Sequence, residues 1–496
     1  MTLKKVKPNH FMFRKIGDRY VVTNAFGRYT VLDRSELDLL AQGKVDTGSK
    51  TGKFLQENGF IYSEEIQAEL ASMLREKWSY IFRGPVLHIM IMTLRCNHIC
   101  RYCQASRAPM DQTEFDMPLD VADKIVDSIF KSPSDTVTIE FQGGEPLANW
   151  DAIVHVVERS KELIKQTGKY VMFSLVSNLS LMDEEKLEFI IKNNIQVSTS
   201  LDGPQTLHNE NRVFPNGNSY AETTKWIERI NQAYRENGKE DIVYRVEALP
   251  TVTKATLSQP QALVDEYVAQ GMKAVFLRPI NPFGFAVNTA KAIGYSTSEF
   301  LKFYEQALDY IIELNLKGTQ LVERFAAIFL TKIMKADDPN YLDIRSPCGA
   351  GIGQLAYNFD GKVFTCDEGR MVARMGDDAF QIGNIMQDGY NDIVTHPTVR
   401  ALTTASTLDS IPSCATCAYR PYCGTCPVIN YRTQGSIFPQ SPTNEKCILH
   451  MGILDMLFKR IIKGDPRVIE VFDRWVTVRE RPEYYMHDEI APSSDV

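Results

Sequence analysis

Three cysteines fall within ten residues, in Arg95-Cys-Asn-His-Ile-Cys-Arg-Tyr-Cys-Gln104. Cys96, Cys100 and Cys103 are spaced C-x3-C-x2-C and follow the apolar run Val86–Leu94, which reads as a buried strand. Thiolates are soft ligands, and iron–sulfur clusters are usually held by four of them. Three on one tight loop leave one iron open to a small molecule. A zinc site would pair C-x2-4-C units with a second pair downstream, which this loop lacks. Within the loop, His98 reads as a solvent-facing residue, not a ligand, and Tyr102 as a wall of the barrel mouth.

Seven more cysteines follow from Cys348 onward. Cys348 stands alone, and Cys366 closes a G-x4-C unit on a hairpin with its turn at Asp360-Gly361. Cys414-x2-Cys417-x5-Cys423-x2-Cys426-Pro427 comes next, then Cys447. A zinc ribbon is the competing reading of Cys414 to Cys426. In two-cluster ferredoxins the cysteine before proline ligates the other cluster, so crossed ligation has a precedent.

The elements that must place these residues alternate. Strand patterns at 86–94, 136–142, 171–177, 196–201, 242–249 and 274–280 are separated by helical ones, which predicts βαβ units and a parallel sheet. In barrels of this kind the chemistry sits at the C-terminal strand ends. Strand two ends in Glu140-Phe-Gln-Gly-Gly-Glu-Pro146, where Gly143 and Gly144 allow close approach to the backbone and Pro146 fixes the turn. Strand three ends in Ser177-Asn178, and strand four in Ser200-Leu-Asp-Gly-Pro204, with Arg212 shortly after. Asp202 either faces the reacting groups or simply makes the turn. Arg278 is a further candidate for the cleft.

This combination resembles the radical S-adenosylmethionine (SAM) superfamily, and the seven later cysteines resemble its SPASM extension. The resemblance implies an α/β fold: a partial (β/α)6 TIM-type barrel, a small N-terminal hairpin-plus-helices domain and a C-terminal cysteine-rich domain. It implies three 4Fe–4S clusters and SAM as cofactors. Cys96, Cys100 and Cys103 would hold the SAM-binding cluster. Tyr102, Gly143, Gly144, Glu145, Pro146, Ser177, Asn178, Ser200 and Arg212 would meet SAM, with Arg212 forking onto its carboxylate, and Asp202 would be catalytic. Cys414, Cys417, Cys423 and Cys447 would hold one auxiliary cluster, and Cys348, Cys366 and Cys426 the other. The family places three residues between the last two cysteines of the quartet, where this chain has two.

The likeness is greatest to the His-Xaa-Ser system radical SAM maturases, through the Arg95–Gln104 loop and the Glu140–Pro146 strand end. The substrate implied is a ribosomally made peptide or protein, and the auxiliary clusters, as electron acceptors, favour its net oxidation, as in a crosslink. The partners implied are a precursor, an external flavodoxin- or ferredoxin-type electron donor, and a second radical SAM maturase. Two other functions compete: a sulfatase-type formylglycine maturase, whose members tend to carry an eighth auxiliary cysteine, and an iron–sulfur electron-transfer or scaffold protein without catalysis.

Five segments are expected: an N-terminal peptide-recognition-like domain over 1–83, a radical SAM core over 84–290, a helical bridge over 291–345, a SPASM domain over 346–450 and a helical tail over 451–496. In the first, runs 20–24 and 28–32 read as a hairpin with a free edge for a peptide strand; a stabilising cap is the alternative. With 496 residues, 44% hydrophobic and 24% charged, the composition is that of a globular protein. A net charge of −7 argues against nucleic acid. No apolar run could span a membrane. Ten cysteines without a secretion signal predict metal binding in a reducing cytoplasm.

Overall fold

A computed structural model describes residues 5–215, 217–239, 245–339 and 342–476. They form two compact units. One comprises the described residues among 1–82, 325–349 and 403–479; the other, those among 83–324 and 350–402.

The first unit opens with an antiparallel sheet of β1 (Phe11–Ile16), β2 (Arg19–Asn24) and β3 (Tyr29–Leu32), in that order. The run 20–24 is therefore central, not an edge, because β1, unforeseen in the sequence, pairs along its whole length. A helix over Arg34–Gln42 follows, with an Asp33/Glu36 capping box and Gly43 in the left-handed conformation. Residues 1–83 do not pack as a separate body. Thr23 Oγ1 donates to the Ala418 carbonyl at 2.7 Å, and Arg14 forks onto Asp455 at 2.7 and 2.6 Å. Tyr422 donates to the Gly27 carbonyl at 3.2 Å. The N-terminal sheet and the last cysteine segment are thus tied by side-chain hydrogen bonds, which removing the former would take from the latter.

The second unit is built on β4 (Leu87–Thr93), β5 (Ile99–Cys100), β6 (Thr136–Gly143), β7 (Tyr170–Val176), β8 (Gln196–Thr199), β9 (Arg212–Val213) and β10 (Glu247–Ala248). After them come β11 (Ala274–Val275), β12 (Val322–Glu323), β13 (Gln354–Tyr357), β14 (Lys362–Phe364) and β15 (Gln381–Asn384). The main sheet runs β10-β8-β7-β6-β4-β13-β14-β15. It is parallel from β10 to β13 and antiparallel beyond, so β14 and β15 finish it as a meander. On β6, Val137, Ile139 and Phe141 are buried and alternate with half-buried polar residues.

Two sequence expectations change. The sixth strand, expected over 274–280, is only β11, which pairs with β12 rather than with the main sheet. β12 also interrupts the stretch read as purely helical. The Cys366 hairpin is present as β13–β14, but β13 docks in parallel on β4, so the SPASM-like stretch is shared between the two units. The strand expected over 242–249 lies partly outside the described residues, as does the end of the 451–496 tail. Among the described residues no helix is long and apolar enough to cross a membrane.

Candidate active site and auxiliary cysteine sites

The cysteine loop leaves the C-terminal end of β4 and is fixed by backbone before any ligand is considered. Cys96 N donates to the Ala108 carbonyl at 3.0 Å, and Glu145 N to the Arg95 carbonyl at 2.7 Å. Gly143 sits at φ 146°, where a Cβ would stand 2.0 Å from the Thr93 carbonyl oxygen. A Cβ on Gly144 would stand 2.4 Å from two carbonyl oxygens, those of Leu94 and Arg95. Both glycines therefore let the β6 turn lie directly on the base of the cysteine loop.

A clamp that the sequence analysis missed holds the same base. Arg95 forks onto Asp116 at 2.7 and 2.6 Å and also donates to the Met110 and Ala148 carbonyls at 3.1 and 2.7 Å. Its side chain is 12% exposed. Removing one partner of such a pair strands the other, at a cost of about 3 kcal/mol or more. Arg95→Ala is expected to lower thermal stability and reduce the iron retained after anaerobic reconstitution. Iron content and a melting curve equal to those of the parent protein would show the clamp to be dispensable.

Beyond Cys96 the loop becomes β5, whose partner is β9, and Cys100 lies opposite Arg212. Arg212 donates to the Tyr102 hydroxyl at 2.9 Å, and Tyr102 donates to Asp202 Oδ2 at 2.6 Å. Asp202 Oδ1 accepts from Thr251 N at 3.1 Å. Asp202 is wholly buried, so it sits behind Tyr102 and Arg212 rather than in an open cleft. Burial raises its pKa, against the opposing Arg212 charge. Burial likewise opposes the Arg212 charge, but Cys100, Tyr102 and Asp202 keep its pKa well above the usual value.

Glu145 is wholly buried and accepts from Ser177 Oγ at 2.7 Å, Asn178 N at 2.7 Å and Leu147 N at 3.1 Å. It thus ties the end of β6 to the end of β7. Pro146 starts the short helical turn that Glu145 caps. Asn178 reaches back to Asn97 Oδ1 at 3.1 Å and toward Cys96 Sγ at 3.9 Å. Ser200, half-buried, follows β8. Arg278 lies across the Phe276 ring at 5.2 Å. His98 is not solvent-facing: it is 1% exposed, stacks on Phe214 with centroids 4.7 Å apart and meets Ser219 Oγ at 2.9 Å. The neighbouring ring and hydroxyl, far along the chain, are what bury it.

Burial, then the charges of Cys100 and Glu145, push the Cys96 thiol up. Burial takes Cys100 up to about 11 against the pull of Arg212. Such thiols stay protonated unless a metal centre displaces the proton. The donor set suits a cluster with an anionic ligand beside it, because Arg212, 8% exposed, keeps a buried Nε with no partner among the described residues.

In the first unit, burial raises Cys423, and next come the charges of Cys417, Cys447 and Cys414. Cys414, up to about 11 through burial, also responds to Cys447 and Cys417. Cys417 and Cys447 thus contribute to the shifts of both Cys423 and Cys414. Among the described residues no three His, Cys, Asp or Glu side chains converge on a single ion. A four-iron cube holds its thiolates farther apart than one zinc ion does. Cys348, with its N–H donating to Ser406 Oγ at 2.9 Å, and Cys426, which precedes the helix Pro427–Gln434, belong to this unit as well. Cys366 belongs to the other, where it caps the helix Asp367–Arg374.

Residues 90–258 match the radical SAM superfamily, and residues 348–418 match SPASM, an iron–sulfur cluster-binding domain. The chain carries a radical SAM domain and a SPASM domain. The radical SAM match spans the cysteine loop, β6 to β8 and Arg212, while the SPASM match ends before Cys423. A cysteine-type anaerobic sulfatase-maturating enzyme of Clostridium perfringens is 26% identical over 283 residues, 55% of this chain and 71% of that protein. Native anSMEcpe with bound AdoMet is a structural neighbour at TM-score 0.62 and 19% identity, covering 79% of this chain and 100% of that one. Streptococcus suis SuiB bound to precursor peptide SuiA aligns at TM-score 0.51 and 15% identity, covering 89% of this chain and 100% of its own. These likenesses show the fold: a radical SAM core with a partial barrel-like sheet.

Proposed function

We propose that this protein is a radical SAM enzyme that oxidatively modifies, by crosslinking, a ribosomally made peptide or protein. The observation that carries this is the three-thiol loop paired through Cys100 with Arg212, whose buried Nε has no partner among the described residues. Cys96, Cys100 and Cys103 would hold a 4Fe–4S cluster, and the orphaned Nε would meet the SAM carboxylate. Bound there, cluster and SAM would supply a 5′-deoxyadenosyl radical for hydrogen abstraction. The chain's own part is to orient and to exclude water. Tyr102 and Asp202 hold the Arg212 fork, Glu145 fixes the Ser177-Asn178 strand end, and Asn178 reaches the cysteine loop.

Cys414, Cys417, Cys423 and Cys447 would hold one auxiliary cluster and Cys348, Cys366 and Cys426 another, completing three. An auxiliary cluster that accepts an electron favours net oxidation. The donor would be a flavodoxin- or ferredoxin-type protein, and a second radical SAM maturase is a further partner. The likeness to the His-Xaa-Ser system supports a peptide substrate. The sulfatase-maturating relative supports formylglycine formation as the second reading. Reduced, reconstituted protein incubated with SAM should form 5′-deoxyadenosine; an iron-loaded protein that forms none would be an electron-transfer or scaffold protein instead.

The N-terminal sheet would receive the precursor on β3, which like β1 has no partner strand on its outer side among the described residues. Asn24 N bonds the Arg28 carbonyl, so Tyr20–Leu32 and Val22–Thr30 bond inward and Tyr29 and Val31 face outward. Val31→Pro removes one outward donor without touching β2. It should weaken precursor binding by about ten-fold, some 1.4 kcal/mol, at unchanged iron content. Unaltered affinity would make this sheet a structural cap.

A further inference from the structure

His450 lies on the helix Glu445–Lys463 and is wholly buried. Phe325 and Phe329 meet its ring edge-to-face, with centroids 5.7 and 5.5 Å away. Its Nε2 has no partner among the described residues. An imidazole in so apolar a place costs stability unless its other nitrogen is used. That nitrogen, Nδ1, stands 3.4 Å from Cys423 Sγ. A partner on that side only places the ring proton on Nδ1. As a free thiol, Cys423 points its own hydrogen at the Gly424 carbonyl, 3.4 Å away. As a metal-bound thiolate it has none to give and becomes the acceptor.

We propose that His450 is a positioning residue that donates a hydrogen bond to the Cys423 thiolate and raises the reduction potential of the auxiliary cluster beside it. This rests on the assignment of Cys414, Cys417, Cys423 and Cys447 as that cluster's ligands. A donor on a ligating sulfur draws electron density from the cluster and favours the more negative, reduced state. The effect suits a cluster that must take an electron from a substrate radical. The histidine half of the contact is not visible in the spacing of the cysteines, since His450 sits three residues beyond Cys447 and carries no motif of its own.

The test is potentiometry of the reconstituted full-length protein followed by electron paramagnetic resonance. SAM marks the signal of the Cys96, Cys100 and Cys103 cluster, and Cys447→Ala marks this one's, which sets it apart from the second auxiliary cluster. His450→Phe fills the space between the two phenylalanines and removes the donor; His450→Gln keeps an N–H. His450→Phe should shift the auxiliary midpoint to more negative potential at unchanged iron content, with His450→Gln closer to the parent. A parent-like midpoint in His450→Phe overturns the inference. Should His450→Phe lose its cluster, the parent protein carrying 15N-histidine decides. Its reduced auxiliary signal should show histidine nitrogen and exchangeable-proton couplings, and their absence overturns the inference. Full iron retention in Cys423→Ala would overturn the ligand assignment beneath it.

Discussion

Replacing Cys96, Cys100 and Cys103 together with alanine should remove about four irons per chain and abolish 5′-deoxyadenosine formation. The loop itself should survive the change. Its base is held by the Cys96 N and Glu145 N hydrogen bonds and by the Arg95–Asp116 clamp, none of which uses a sulfur. Loss of SAM cleavage would then reflect loss of the centre, not of the barrel. Iron analysis, a thermal melt and chromatographic assay of 5′-deoxyadenosine check this. A triple variant that still cleaves SAM at the parent rate would place the chemistry elsewhere.

Cys447→Ala should have the complementary effect: reductive SAM cleavage persists while modified product falls to background. Cys447 sits on a helix in the first unit, whereas Cys96, Cys100 and Cys103 lie in the second. Burial, with the charge of Cys417 adding to it, raises the Cys414, Cys423 and Cys447 thiols. A metal site can also be a folding element, and the variant must therefore melt as a folded protein. Normal product formation by Cys447→Ala would show that the cluster it serves is not needed for turnover. Deleting residues 1–83 is a poor substitute for this experiment. Thr23, Arg14 and Gly27 bond directly to Ala418, Asp455 and Tyr422, so the deletion would damage the auxiliary segments as well.

What could be read from the sequence is what is written over short spans. The cysteine spacings and the two glycines before Glu145 each carry their cause within a few residues. The residues brought together from afar were not legible. β13 joins β4 in parallel after most of the barrel has intervened, and nothing local in Gln354–Tyr357 says so. β1 escaped notice although it is what makes β2 central. His98 looked like a loop residue because Phe214 and Ser219, which enclose it, belong to later segments. Asp202 looked equally like a turn former or a catalytic group. Its bond to Tyr102 and its complete burial are tertiary facts, and they make it a support for Arg212. The Arg95–Asp116 clamp joins two charged residues that no motif connects.

The central claim is that the chain uses a SAM-derived radical to oxidise a peptide. The most direct measurement is mass spectrometry of a candidate precursor, a short reading frame beside the gene, after anaerobic incubation with the reconstituted, reduced enzyme and SAM. The account predicts a product lighter by two hydrogens, with 5′-deoxyadenosine formed alongside it and no product from the triple cysteine variant. A precursor that gains a methyl group, or that is modified equally well without SAM, would contradict it.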